Sequence, residues 1–435
     1  MPEAIASSRN MRATGEPWLG DIPIDWELMP AKRLFREISI KNHPDETLLS
    51  ATQEYGVVPR DILPDRVVMP TGNLESFKLV TSGDFVISLR SFQGGIEYSE
   101  YRGLVSPAYT VIRPTKKINR RFFAYLMKSY PFILDLNKAI TGIRDGKNIS
   151  YKEFEKLILP IPPRAEQDGI VAFLDERLAD IDRYIAAKQR LIELLNEQKA
   201  AIINRAVTRG LDPDAPLKES GIEWLGEIPV EWKMKKIGYI AKVGNGSTPN
   251  RSETQYWSDG TFPWLNSSSV NQGIITLADQ FVTQKALVEC HLPIVEPNSV
   301  LVAITGQGKT RGTAALVTFE TTINQHIAYI SLNSETISSE YLFALLRGLY
   351  SHLRYISDGH GGTRGALTCD DLKKLKIPVP PINQQKKILL QINQTTAQVD
   401  KAITETDREI ELMQELRTAL IAEAVTGKLD VSNQR

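Results

Sequence analysis

Trp18-Leu-Gly-Asp-Ile-Pro-Ile-Asp-Trp26 and Trp224-Leu-Gly-Glu-Ile-Pro-Val-Glu-Trp232 are one phrase written twice, at an offset of 206 (18 to 224). A second phrase recurs at a different offset. The stretch from Leu157 (LILPIPP) to Asp212 (AVTRGLD) returns from Leu375 (LKIPVPP) to Asp430 (AVTGKLD), at an offset of 218 (157 to 375) and without a gap. The chain is therefore an internal duplication. The interval between the two phrases is about a dozen residues longer in the second copy. Inside that interval, over 35–145 and 240–360, the copies share little sequence. A frame used twice with divergent contents suits a protein that needs one scaffold and two recognition surfaces.

After each Pro-Pro pair (162–163 and 380–381) the pattern turns helical. Proline is tolerated at a helix start because the amide it lacks would have no partner there. A heptad frame puts Val171, Leu174, Leu178, Ile181, Ile185, Lys188, Ile192, Leu195, Lys199, Ile202 and Ala206 on one seam. The second copy puts Leu389, Ile392, Thr396, Val399, Ile403, Thr406, Ile410, Met413, Arg417, Leu420 and Ala424 on the other. Both seams turn polar at matching places, Lys188 with Thr406 and Lys199 with Arg417, where register can be set at some cost in stability. Helices of about 40 residues would be about 60 Å long. The duplication alone leaves a parallel pair open, or helices packed only on their own modules; the long return through the second module favours an antiparallel pair. Gly210 and Gly427 are the expected helix stops.

These signals predict a flexible tail (1–16), a first module (17–160), a first long helix (161–210), a linker (211–223), a second module (224–378), a second long helix (379–428) and a C-terminal tail (429–435). The fold class is α+β: two globular domains joined by two long helices in an antiparallel coiled coil, with pseudo-twofold symmetry. Expected strands are 66–69, 85–89, 109–113, 237–243, 300–304, 314–318 and 327–332, with module helices over 121–138 and 339–356.

The chain has 435 residues, 42% of them hydrophobic and 24% charged, enough for two to three ordinary cores. With 52 basic and 52 acidic residues the net charge is zero. A free-standing tight DNA binder would carry a basic excess, so any nucleic-acid surface must be local or completed by a partner. Two cysteines, Cys290 and Cys369, make no disulfide framework or zinc spacing. The start lacks a secretory apolar stretch, and no run suits a membrane span, so the expected location is the cytoplasm.

Loops should carry the contacts. The first module offers Arg90, Ser91, Gln93, Arg102, Tyr109, Arg144 and Lys147. The second offers Asn245, Ser247, Thr248, Asn266, Ser267, Ser268, Thr305, Gln307, Lys309, Arg311, Asn324, Gln325 and Arg364. Arginine pairs bidentately with guanine, and asparagine or glutamine with adenine; lysine, serine and threonine suit phosphates. Catalytic signatures are weak. Ala303–Thr310 (AITGQGKT) is like a loosened phosphate loop, but a turn and strand follow it where a helix is needed. Asp145-Gly-Lys147 and Asp371-Leu-Lys373 match only the end of a nuclease pattern. The five histidines are scattered without metal-ligand spacing, and surface or core roles are expected for them.

The repeated frame, a variable module, Pro-x-Pro-Pro and a long helix, all twice, resembles the DNA-specificity (S) subunit of type I restriction-modification systems. The second module adds Gly246-Ser-Thr-Pro249, Tyr256-Trp257, Pro263-Trp264-Leu265 and Asn324-Gln325. The resemblance covers about 18–430. One departure is Gln384-Gln385 where the first copy has the family's usual Glu166-Gln167. The resemblance implies two target-recognition domains, each reading half of a split double-stranded DNA site, with the helices as spacer. It implies two methyltransferase (M) subunits that methylate adenine N6 with S-adenosylmethionine, and restriction (R) subunits that use ATP and Mg. The chain itself would hold no catalytic centre, cofactor or metal. The alternatives are a coiled-coil scaffold whose end modules bind proteins or glycans, and a cryptic nuclease at Asp145-Gly-Lys147. A methylated bipartite DNA motif separates the specificity subunit from the scaffold, and cleavage of DNA by the purified chain with magnesium would mark the nuclease.

Overall fold

The computed structural model describes residues 9–63, 74–138, 149–306, 308–359 and 365–431. The chain forms two compact units, Met1–Lys188 with Arg408–Arg435, and Gln189–Asp407. Each unit holds one module, part of the long helix that follows it and part of the other long helix.

Each unit repeats the same frame. Met11–Ala13 pairs antiparallel with Asp21–Pro23, and Leu217–Glu219 pairs with Glu227–Pro229 in the same register. The first strand lies inside the expected flexible tail and its counterpart inside the expected linker. Turns capped by a hydroxyl set both hairpins: Thr14 Oγ1 accepts from Glu16 N–H (3.0 Å) and Ser220 Oγ from Ile222 N–H (3.1 Å). A second two-stranded clasp closes each module. Glu27–Pro30 pairs with Ile158–Ile161, and Lys233–Lys236 with Lys376–Val379. Every module thus enters and leaves its frame at one place.

The contents differ. The first module has a four-stranded sheet in the order Phe35–Ile38, Thr110–Pro114, Phe85–Ile87, Glu97–Tyr98. The second has a five-stranded sheet, Ala241–Asn245, Ile327–Leu332, Val300–Ala303, Ala314–Val317, Ile274–Ile275, and a three-stranded one, Gln280–Val282, Phe262–Leu265, Thr322–Ile323. The expected strand at 237–243 is corrected: Ile237–Ile240 is one helical turn, and the strand begins at Ala241, where pairing to Leu332 begins. Ile237 and Ile240 share its buried face. Both module helices are broken in two. Arg120–Lys128 stops at an extended Ser129 ahead of Pro131, and the Met127 carbonyl takes the Ile96 amide instead. Ser339–Gly348 and Tyr350–Asp358 are divided at Leu349. The expected strand at 66–69 lies outside the described residues.

The long helices run Arg164–Arg209 and Ile382–Val425. Every predicted seam residue is buried or half-buried. In the first unit Asp182 meets Arg417 and Lys188 meets Glu409, so the two segments run antiparallel. In the second, Lys199 meets Asp400, while Ile203 and Val207 share a core with Ile388 and Ile392. Lys199–Asp400 and Asp182–Arg417 are the same ion pair related by the 218 offset, which accounts for one matched pair of polar seam positions. The helices end where glycine was expected. Gly210 (φ 78°) lies against Trp232 and Pro229, and Gly427 (φ 74°) against Pro23 and Trp26, positions where a Cβ would be crowded.

One buried amide joins the pieces of each unit. Gln167 Oε1 accepts the Asn119 amide (2.8 Å) and its Nε2 donates to the Pro162 carbonyl (2.8 Å). Gln385 Oε1 accepts the Ser338 amide (2.9 Å) and its Nε2 donates to the Pro380 (2.9 Å) and Thr336 (2.8 Å) carbonyls. Asn119 and Ser338 are the N-caps of the first module helices. The residue before each glutamine receives the indole N–H of the buried tryptophan: Trp26 to Glu166 and Trp232 to Gln384, both 2.9 Å. The Glu-to-Gln departure now has a cause. Arg9 pairs with Glu166 and Asp25. Its counterpart at the 206 offset is Ala215, and Gln384 instead donates to Glu231 (2.7 Å) beside a cavity of about 300 Å³. Charge and countercharge are lost together.

Gln385→Ala would take this partner from the Ser338 amide and from the Thr336 and Pro380 carbonyls, the last of them in the interior. Denaturant unfolding should show a loss of about 2–4 kcal/mol with the helical signal retained; a loss below about 0.5 kcal/mol would contradict the clamp.

Candidate nucleic-acid interface

In the second module, strand ends collect the predicted residues. Asn245 ends one strand, Asn266 follows Phe262–Leu265, Thr305 follows Val300–Ala303, and Asn324 follows Thr322–Ile323. Strand pairing puts these ends on one edge: Asn245 opposes Ala328, Ala303 opposes Ile327, and Leu265 sits beside Ile323. Backbone bonds stitch the loops together, Ser247 N–H to Ile323 O, Asn324 N–H to Leu265 O and Ile304 N–H to His326 O, each 3.0 Å. A Cβ on Gly246 would fall 1.7 Å from the Ile323 carbonyl, so this approach needs glycine.

A polar relay runs along this edge. The Thr248 hydroxyl donates to Gln325 Oε1 (2.6 Å), leaving Gln325 Nε2 to donate toward His326 Nε2 (3.2 Å). His326 then carries its proton on Nδ1 and donates to Thr305 Oγ1 (2.7 Å). Thr305 keeps its own hydroxyl proton for a ligand. Ser267, Thr305, Gly306, His326, Arg354 and Asp358 line a cleft of about 750 Å³ beside it. His326 and Arg354 were not among the predicted residues. His326 adjoins the Asn-Gln pair, which was a usable signal; Arg354, on a module helix, gave none. Asn245 and Lys309 stand exposed, and Asn266 Oδ1 holds the Ser268 amide and hydroxyl.

Two of the predicted residues in this module turn inward. Arg311 is 7% exposed and pairs with Asp358 and the Gly365 carbonyl. Asn324 is buried and caps the His326 amide (3.0 Å). The segment 303–313 is a hairpin connection between antiparallel strands, in keeping with the rejected phosphate loop. Asp371 belongs to a capping box with Thr368, which gives the Asp371-Leu-Lys373 match a structural role.

In the first module Arg90 and Gln93 are exposed beside the one-turn helix Ser91–Gly94, which follows Phe85–Ile87. Half-buried Tyr109 lies at the same end, since Thr110 pairs with Ile87. Ser91 is corrected: it is 1% exposed and its hydroxyl takes the Ser88 amide (2.8 Å). Arg102, just ahead of the strand Gly103–Val105, is held by Glu46 (2.8 Å). Arg144, Lys147, Gln307, Arg364 and the Asp145-Gly-Lys147 match lie outside the described residues. Among the described residues, no cluster of His, Cys, Asp and Glu could hold a metal ion, and no helix is long and apolar enough to cross a membrane.

One repeated frame therefore carries two modules, each with polar loops at its strand ends. The profile of the type I restriction modification DNA specificity domain matches residues 24–196 and again 229–412, and the chain belongs to that family. It is 21% identical over 419 residues to the type I restriction enzyme MjaVIII specificity subunit of Methanocaldococcus jannaschii, covering 95% of each chain. It is 23% identical over 271 residues to the EcoR124I/EcoR124II specificity subunit of Escherichia coli, covering 62% of this chain and 63% of that one. A solved chain described as "Structural basis underlying complex assembly and conformational transition of the type I R-M system" shares the fold at a TM-score of 0.66 and 16% identity, over 94% of this chain and 99% of that one.

The loop bearing Arg90 and Gln93 is fastened by the half-buried Lys128. Lys128 Nζ donates to the carbonyls of Gln53 (3.0 Å) and Gly94 (2.9 Å) and to Glu97 Oε1 (2.7 Å). Glu97 Oε2 is buried and has no hydrogen-bond partner among the described residues. Burial pushes the Glu97 carboxyl up from 4.5 to about 7, although Lys128 pulls the other way. Between those values the folded chain binds the proton that the unfolded chain has released, so stability falls as pH rises through the window. Glu97→Gln removes the slope. Relative to wild type, the variant should gain about 1–3 kcal/mol between pH 4.5 and pH 8 in denaturant titrations. A flat difference would show that Glu97 is ionised throughout.

Proposed function

We propose that this chain is the sequence-selecting subunit of a type I restriction-modification complex. Its two domains each read one half of a bipartite double-stranded DNA target. The long helices act as an antiparallel coiled-coil spacer that sets the gap. Two M subunits use S-adenosylmethionine to methylate adenine N6 where the chain directs them, and R subunits use ATP and Mg to restrict unmodified DNA. The chain is not an enzyme; it chooses where the chemistry occurs, in the cytoplasm. The observation that carries the reading is the edge of the second domain, where Thr248, Gln325, His326 and Thr305 form an ordered row of donors and acceptors. Such a row can discriminate base edges, whereas the net charge of zero leaves most of the phosphate grip to partners. The protein-binding scaffold, open to the sequence alone, gains no support from the family match.

Co-expression with the M subunits, followed by sequencing of modified adenines, should reveal one split motif; absence of any split motif would sink the reading. Thr248→Ala or Gln325→Ala should relax bases in one half of that motif only, and relaxation in both halves would refute independent domains. Removing one heptad from both long helices at equivalent positions shortens each by about 10 Å. The gap should then shrink by about three base pairs with both half-sites unchanged.

A further inference from the structure

We propose that Arg251 is a preset phosphate anchor of the second domain, gripping the DNA backbone of that half-site whatever its base sequence. The inference rests on the DNA reading above. Arg251 closes the loop that begins at Gly246 and carries Ser247 and Thr248. Two tryptophans pin this loop from below: Trp264 Nε1–H donates to the Ser247 carbonyl (3.2 Å) and Trp257 Nε1–H to the Asn250 carbonyl (3.1 Å). The two indoles meet edge to face, 5.2 Å apart at 85°. Trp264 is rooted in a small core with Val282, Ala286 and Leu287.

The Arg251 guanidinium lies on these rings, its central carbon 3.8 Å from the Trp257 centroid and 4.8 Å from that of Trp264. Nη2 donates to Gln280 Oε1 (2.7 Å). Other arginines in the molecule are matched by carboxylates: Arg113 by Asp84, Arg102 by Glu46, Arg311 by Asp358. Arg251 is exposed, and among the described residues no carboxylate pairs with it. Stacking and a neutral amide hold it in place without neutralising it. The rotamer entropy an arginine loses on gripping an anion is thus already lost in the free protein.

Geometry favours phosphate over a base. A guanidinium seated over an indole of its own domain and bonded to Gln280 is held back from a groove floor. Arg251 is exposed at the domain surface, on the loop that carries Ser247 and Thr248. Anions that come to that surface belong to the duplex backbone, and a planar fork of donors suits their oxygens.

The test uses the complex assembled with M subunits, a cognate duplex and a duplex scrambled in the second half-site, with affinity measured across a salt series. Arg251→Ala should weaken both duplexes by the same factor, about tenfold at about 0.15 M salt. The slope of log K against log salt should drop in magnitude by about 0.9, the value of one phosphate contact. Arg251→Lys should keep the slope while losing part of the affinity. Trp257→Leu, which frees the guanidinium without removing its charge, should do the same. A complex that binds DNA but shows unchanged affinity and slope with Arg251→Ala overturns this inference alone. So does a variant that relaxes one base position, which would make Arg251 a base reader. A wild-type complex that binds neither duplex overturns the DNA reading and this inference with it.

Discussion

Gln167 and Gln385 each sit where three segments converge: the Pro-Pro turn, the first turn of a long helix and the N-cap of a module helix. The amide suits this place because it offers a donor and an acceptor without charge, and both glutamines are almost fully buried. A carboxylate could not serve the proline carbonyl, and an ammonium could not take the N-cap amide. The clamp ties the N-cap of a module helix to the first turn of the long helix that follows the module.

The neighbouring position shows how much freedom remains around a fixed point. Glu166 and Gln384 take the same tryptophan proton with different charge, and the surrounding groups have changed to match: Arg9 stands by one, Ala215 by the other. Geometry is held across the duplication where hydrogen bonds demand it, and charge changes where both partners change. The modules go further. Their main sheets share an order, first strand, last strand, then the pair between, but the second adds Ile274–Ile275 and a separate three-stranded sheet, since the clasp strands ask little of the chain between them.

Much of the frame was readable in the sequence. The heptad seams need only a period, and Pro162-Pro163, Gly210 and Gly427 mark helix ends by backbone chemistry alone. The hairpins at 11–13 and 217–219 escaped because three-residue strands have no period; their trace is the pair Thr14-Gly15 and Ser220-Gly221, too short to notice without knowing what it caps. Site residues were legible by type but not by direction. Arg311 and Lys309 lie in one polar loop, yet Arg311 turns back to Asp358, a partner 47 positions away that no local reading could supply. Ser91 likewise serves its own turn. Arg251 was overlooked because a lone arginine between Asn250 and Ser252 looks like loop decoration until the two indoles beneath it are seen.

The strand clasps have a consequence for chain entropy. Because Leu28 faces Pro160 and Met234 faces Pro378, each module is a loop whose ends are already joined. The cost of closing such a loop grows only with the logarithm of its length. The dozen extra residues of the second module therefore change it by about 0.1 kcal/mol. The frame is nearly indifferent to how much chain it encloses. New contents, longer or shorter, can be tried between the clasps with little penalty to the scaffold, and what limits them is whether they fold, not whether they fit.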